Sequence, residues 1–340
     1  SSDLMSTLFT DFFGKINQIS PLEHDFTEVL ESIALKPKTL YFYGKLPENV
    51  VKNNRKMRPK VVAIVGSRHN TRYGEEIAYK MAYELAKNGV VVVSGLAYGI
   101  DSIAHRGCLD AGGCTVAVLG TPIDKIYPRG HMRLAEEIVK SGGTIISEYA
   151  PQDQKHREEL LVLREDAYLA PGEYLSNSGK RTQDARSSFL HRNRLISGLA
   201  DVVVVVEAAE KSGSLNTATH AINQGKEVFA VPGNITNPYS RGCNKLILQG
   251  AIPYSEPDDI LRVLFPEEFI KKQRKLNQNK LVGDTDVETL ILQAIASGES
   301  SGEEIMAKTC LPAEVFNQAV TMLEIKGRVR AFGMNNWGLC

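Results

Sequence analysis

Short β-branched and aliphatic runs recur along the middle of the chain, separated by stretches whose apolar residues return every three to four positions. Val61-Val62-Ala63-Ile64-Val65 is apolar throughout, which predicts a strand covered on both faces. After Tyr73-Gly74, the residues Ile77, Met81 and Leu85 share one helical stripe that closes at Asn88-Gly89. Val90–Val93, Thr115–Leu119, Thr144–Ile146, Val202–Val206 and Val228–Val231 repeat the strand pattern. Helices are expected from Gly99-Ile100-Asp101 through His105 and from Ser212-Gly213-Ser214 towards Ala221. Such alternation predicts an α/β fold with a Rossmann-like doubly wound parallel sheet over residues 59–265. Residues 1–58 read as a lead-in holding one short strand, Leu40–Tyr43, with a basic connector at Lys52–Lys60.

The periodicity changes again beyond residue 258. Asp258 to Asn279 reads as helical and increasingly basic (Lys271, Lys272, Arg274, Lys275), with residues 266–283 as the linker. Residues 284–340 then show a helix with Val287, Leu290, Ile291 and Ala294 inward. A second helix opens on the capping box Ser301-x-x-Glu304, a third runs from about Pro312 to Lys326, and Arg328–Leu339 reads as a hairpin. Three helices and a hairpin make a small C-terminal winged-helix domain. Such modules often read duplex DNA with the third helix. Here eight acidic residues face four basic ones, a net of −4, which points to protein contact or packing instead.

Composition narrows the function classes. With 40 Lys+Arg against 40 Asp+Glu in 340 residues, the net charge is zero; this argues against a blanket polyanion binder while permitting a local basic groove. The five cysteines are widely spaced and contain no Cys-x-x-Cys pair, so neither a disulfide framework nor a zinc site is expected. With no signal peptide and no long apolar span, a soluble cytoplasmic protein is expected, without membrane partners.

The polar and glycine residues gather where the predicted strands end: Gly66-Ser67-Arg68, Ser94-Gly95, Gly120, Ser147-Glu148 and Ser212-Gly213-Ser214. Open α/β sheets bind ligands at that edge, although single glycines there also make ordinary turns. The dinucleotide fingerprint Gly-x-Gly-x-x-Gly is missing after the first buried strand, so NAD is unsupported and no cofactor is expected. Phe189, Arg192 and Arg194 fall on one helical segment ending near Gly198. An aromatic face beside guanidinium forks offers a base something to stack on and phosphates something to bind; a core Phe with solvated arginines is the alternative. Ser212–Ser214 at a helix start suits a phosphate. Ser240 and Arg241 either complete an anion pocket or form an ordinary helix cap.

Several separated motifs resemble the DprA/Smf family of bacterial DNA-processing proteins. They are Val65-Gly66-Ser67-Arg68 with Tyr73-Gly74, Ser94–Ala97 with Gly99–Asp101 and His105, Tyr127-Pro128, and Ser147-Glu148-Tyr149. Further on come Phe189-x-x-Arg192-Asn193-Arg194, Glu207-Ala208 with Ser212–Leu215, and Val231-Pro232-Gly233 with Ser240–Asn244. The resemblance implies a binding protein, not an enzyme. Such a protein coats incoming single-stranded DNA in natural transformation, displaces single-strand-binding protein, loads the RecA recombinase and works as a homodimer. It also implies that Arg68 grips phosphate, Arg186 replaces a family lysine, and Phe189 stacks on a base. Arg192, Asn193 and Arg194 would build the pocket, and Ser212, Gly213 and Ser214 would offer backbone amides.

Three features depart from the family pattern. Residues 1–58 would be at most a remnant of the family's N-terminal helical domain, Tyr98 stands where relatives are often basic, and 41 positions separate Glu148 from Phe189. The resulting insertion, at about 152–185, reads as an acidic half over 152–173 followed by a basic stretch over 174–188 (Lys180, Arg181, Arg186) that runs into Phe189. A flap adding contacts to bound DNA and a solvated excursion are its two readings. A nucleotide-hydrolysing enzyme of related fold is the alternative function. It would want a carboxylate at the phosphate loop, and Ser212–Thr217 supplies none.

Overall fold

The computed structural model describes the main chain of residues 13–52, 55–152, 181–267 and 281–339, with their side chains except those of 52–56 and 181–186. The chain divides into two compact units, residues 1–264 and 265–340.

The first unit is a nine-stranded sheet wrapped by helices. In chain order its strands and helices begin with β1 (Asn17–Ile19) and β2 (Leu40–Gly44), then a separate two-stranded ribbon, β3 (Val50–Lys52) and β4 (Arg55–Met57). There follow β5 (Val61–Val65), α1 (Arg72–Lys87), β6 (Val91–Ser94), α2 (Ile100–Asp110), β7 (Thr115–Leu119), α3 (Met132–Lys140) and β8 (Thr144–Ser147). After these come α4 (Arg181–Leu199), β9 (Val202–Val205), α5 (Gly213–Asn223), β10 (Glu227–Ala230), α6 (Arg241–Leu248), β11 (Ile252–Pro253) and α7 (Pro257–Leu264). The strand order is β1-β2-β8-β7-β6-β5-β9-β10-β11. From β8 to β11 all pairings are parallel; β2 runs antiparallel to β8, and β1 antiparallel to β2. The strands expected to be covered on both faces are so covered: all five residues of β5 and of β7 are buried.

Three segments differ from the sequence expectation. The N-terminal stretch read as a lead-in supplies two sheet strands. The reason lies in β2, whose Leu40, Tyr41, Phe42 and Tyr43 are all buried and need cover on both sides. Phe13 meets Tyr43 with ring centroids 5.1 Å apart, and Leu30 and Ile33 lie against Gly198 of α4, where a methyl group would collide with Leu30. Helix α3 has no clear apolar period in the sequence, because its inward face is only Leu134, Ala135 and Ile138, diluted by Arg133, Glu136, Glu137 and Lys140. At the other end, the helical stretch after 257 starts as α7, which buries Ile260, Leu261 and Leu264 in the first unit. The basic part of the linker and residues 153–180 of the insertion lie outside the described residues, as does the side chain of Arg186.

The second unit is a winged helix: α8 (Asp286–Ala296), α9 (Gly302–Thr309), α10 (Ala313–Ile325) and the hairpin β12 (Val329–Gly333) with β13 (Asn336–Leu339). Ser301 and Glu304 form the predicted capping box. Ile291, Leu292, Ile305, Phe316, Val320 and Leu323 are its core. Lys326 bonds both Asp284 (2.6 Å) and Glu288 (2.7 Å), fixing the C-terminus of α10 to the start of α8. Among the described residues no helix is long and apolar enough to cross a membrane.

Candidate nucleic-acid interface

Strand order reverses at β5: β6, β7 and β8 lie on one side and β9, β10 and β11 on the other. In open α/β sheets the crevice at such a reversal, at the carboxyl ends of the strands, is where ligands bind. Here the loops after β5 and β9 meet through Glu207. Its carboxylate accepts from the Thr71 amide (2.8 Å) and the Thr71 hydroxyl (2.6 Å) at the N-terminus of α1. Glu207 is 1% exposed, and a methyl group on Gly74 would collide with it. The helix end that would hold a dinucleotide pyrophosphate is thus occupied by a carboxylate of the chain itself. Both Glu207 oxygens accept from Thr71, and the carboxylate serves as the N-terminal partner of α1.

The open part of the edge lies one step over, above β5, β6 and β7. Phe189 projects from α4 onto Gly120 at the end of β7; a Cβ on Gly120 would come within 2.6 Å of the Phe189 ring. Gly120 is therefore a close-approach position. The exposed guanidinium of Arg68, on the loop after β5, stands 5.7 Å from the Phe189 ring centroid. On another side Tyr127 packs against Phe189 at 5.3 Å with a 36° tilt. Phe189 itself is half-buried. This constellation pairs a partly exposed aromatic ring with an exposed cation, and it suits a base and its phosphate.

Arg192 and Arg194 have other duties. Each is 4% exposed. Arg192 donates to the carbonyl oxygens of Gly95 (3.0 Å) and Val118, tying together the ends of β6 and β7, and its Nε donates to Asn193 Oδ1 at 3.3 Å. A Cβ on Gly95 would lie 2.7 Å from the guanidinium and 2.8 Å from Asp101, so only glycine leaves room for both charges. Asp101 also accepts from the Gly95 amide (3.0 Å). Burial raises the Asp101 pKa, and the facing Arg192 opposes that rise; burial brings Arg192 down to about 10, still charged at neutral pH. Arg194 forms a two-pronged ion pair with Glu148, at 2.6 and 3.2 Å. Both arginines, expected to bind phosphate and build the pocket, are buried and bonded to protein groups, where they hold α4 to the ends of β6, β7 and β8.

The remaining expected residues divide the same way. Gly66 packs on Ile100, and the Ser67 and Ser94 side chains turn inward, to His69 and to the Ile64 carbonyl (2.6 Å). Asn193 donates to Gly213 O (3.2 Å) and Asn216 Oδ1 (3.3 Å), which brings the start of α5 to the edge of the same site. There Ser212 and Ser214 share a hydroxyl contact of 2.7 Å and Gly213 is exposed. Ser240 and Arg241 open α6, whose start packs on the loop after β9: the Ala208 amide donates to Tyr239 O (2.7 Å) and the Gly242 amide to Ala208 O (2.8 Å). Ser240 is buried, makes no side-chain cap bond and sits close against Gly233; Arg241 is exposed. Asp101 and Tyr127 lie inside the sequence motifs without a role that the motifs themselves assign. An acid in the first turn of α2 was the available signal for Asp101.

Residues 17–165 and 162–265 match the family described as DNA recombination-mediator protein A, and residues 278–332 match the DprA winged helix domain. Protein Smf of Escherichia coli is 43% identical over 203 residues, 60% of this chain but 46% of that protein, so the chain spans about half the length of that relative. The DNA processing protein DprA of Bacillus subtilis is 34% identical over 256 residues, covering 75% of this chain and 73% of that one. Among solved structures, DprA of Streptococcus pneumoniae superposes with a TM-score of 0.55 at 33% identity, covering 75% of this chain and 77% of its own. DNA processing protein A of Helicobacter pylori, described for its single-stranded DNA binding mode, gives 0.55 at 28% identity, covering 74% and 96%. With most of its length matched in this way, the chain belongs to the DNA recombination-mediator protein A (DprA) family.

Proposed function

We propose that this protein binds single-stranded DNA with little sequence preference at the carboxyl edge above β5–β7 and presents it to a RecA-type recombinase. The observation that carries the reading is the Phe189–Arg68 pair: a partly exposed ring backed by Gly120, beside an exposed guanidinium. Cation–π contact at an exposed site is worth about 0.5–1 kcal/mol, whereas a base stacked on an aromatic ring is worth about 1–3 kcal/mol. An incoming base can therefore displace Arg68 from the ring and leave the guanidinium free for the adjoining phosphate. Arg186 and the backbone amides at Ser212–Ser214 extend the phosphate path in this reading, while Arg192, Asn193 and Arg194 position it. Action as a homodimer, displacement of single-strand-binding protein and a setting in DNA uptake and recombination belong to the same proposal, on the strength of family membership.

Anisotropy titrations of the full chain with single-stranded, duplex and mononucleotide ligands across a salt series test it. Single strands should bind tightest, with a salt dependence of about 0.7 in log slope per phosphate contact. Arg68→Ala should flatten that slope by about one contact. Equal affinity for duplex and single strands, or an Arg68→Ala slope matching the parent, would reject the reading.

A further inference from the structure

The loop between β7 and α3 alternates in burial. Asp124, Ile126 and Pro128 are buried, while Lys125, Tyr127 and Arg129 face outward. The outward row is thus cation, aromatic, cation. Tyr127 is 49% exposed even though one side of its ring is packed on Phe189 at 5.3 Å. That spacing is within the 4.5–7 Å range of a directly packed aromatic pair, so no base fits between the rings. The two form one continuous surface, each with its own outward face.

The far end of the same loop packs against another half-exposed ring, on the loop between β6 and α2. Tyr98, 50% exposed, meets His131 edge-on at 4.6 Å. His131 is buried, with Nδ1 2.8 Å from the Leu96 carbonyl oxygen. A Cβ on Gly130 would come within 2.7 Å of the Tyr98 hydroxyl, so the ring lies directly over that glycine. Tyr73 and Tyr79, exposed elsewhere on the unit, spend their hydroxyls on Pro232 O and Asp110. Among the described residues neither Tyr98 nor Tyr127 has such a bond. Both are held from behind through their rings alone, which leaves an ordered aromatic face to solvent at little further entropic cost on binding.

We propose that Lys125, Tyr127 and Arg129, continued by Tyr98, form a second rail of the interface, which carries the strand on from Phe189 by stacking further bases and binding their phosphates. The inference rests on the single-stranded DNA reading above. It makes the site one for a run of consecutive nucleotides. Alternating aromatic and basic groups give that surface tolerance for any base, because every base has a π face.

The test uses the full chain and fluorescein-labelled oligothymidylates of graded length, titrated across a salt series. Tyr127→Leu keeps apolar bulk against Phe189 but removes the π face. It should weaken binding of the longer oligomers by about five- to a hundred-fold, the range of one lost base stack, with an unchanged salt slope. Tyr127→Phe should bind like the parent. Lys125→Gln/Arg129→Gln should instead reduce the log–log salt slope by about 1.4, two single-strand contacts. If Phe189→Ala weakens binding while Tyr127→Leu and the Lys125/Arg129 variant both match the parent, the rail is refuted and the pocket stands. If Phe189→Ala also binds like the parent, the pocket reading falls and takes the rail with it.

Discussion

Arg68 and Arg192 have the same side chain, lie about 6 Å from the same ring, and do different things. Arg68 is exposed and free to change partners, whereas Arg192 is enclosed, facing Asp101 and donating to two strand-end carbonyls. Removing one partner of a buried charge pair typically costs about 3–5 kcal/mol, because the other is left uncompensated. Arg192→Ala is accordingly expected to lower unfolding stability by that order in denaturant titrations. Its effect on the salt slope of DNA binding, measured on the folded fraction, should be nil. A slope loss with full stability would make Arg192 a phosphate ligand after all. The sequence presents Phe189-x-x-Arg192-Asn193-Arg194 as one cluster, and the cluster is real. Its members differ in burial, and that burial depends on Gly95, Val118 and Glu148, which are far away in the chain. Side-chain identity alone could not separate gripping from positioning.

At the scale of an element, α2 shows the same dependence on distant partners. Its inward face carries Asp101 and, one turn on, His105, both buried. His105 Nδ1 pairs with the Thr115 hydroxyl at 2.7 Å, and the hydroxyl donates to Val92 O. Burial, then the nearby His131 and Arg192, lower the His105 pKa from 6.5 to about 3. The unfolded chain therefore takes up a proton near pH 6.5 that the folded chain refuses until about 3. Between those values the unfolded state binds more protons, so stability must fall as pH falls. Asp101 acts in the opposite sense, since its raised pKa lets the folded state take a proton first. His105→Asn, which keeps a donor near the Thr115 hydroxyl, should flatten the acid limb of stability against pH between about 6 and 4, as read from urea midpoints. An unchanged acid limb would assign it to other groups. The turn Gly99-Ile100-Asp101 after a buried strand placed α2 in the sequence, and the motif around it included both titrating groups. Their coupling needed β6 and β7 in place. The N-terminal strands and α3 were harder to read for a related reason: three-residue apolar faces such as Leu134, Ala135 and Ile138 become visible only when a sheet exists to cover them.

For the whole molecule, a net charge of zero requires DNA affinity to be local, because no overall positive field draws in a polyanion. In the first unit the exposed Arg68 and Tyr127 stand beside Phe189 at one sheet edge. The winged-helix unit has the opposite balance, with eight acids against four bases over residues 284–340. Lys326, at the end of α10, is held by Asp284 and Glu288. Lys308 is paired with Glu299. Outward on α10, where a duplex-reading winged helix presents contacts to bases and phosphates, this one has Glu314, Asn317, Gln318, Met322, Glu324 and Ile325. Each exposed carboxylate there would approach a phosphate as a like charge, without a counterion to release. The unit has its own apolar core, so a fragment of residues 281–340 can be examined alone. At about 0.15 M salt it should show no measurable duplex binding by anisotropy, and none should emerge at 0.05 M, where a basic module would gain by orders of magnitude. The parent chain and a chain ending at residue 264 should then bind single strands with the same salt slope. Duplex affinity in the fragment that rises steeply as salt is lowered would overturn this assignment, and would make the winged helix a second nucleic-acid contact despite its charge.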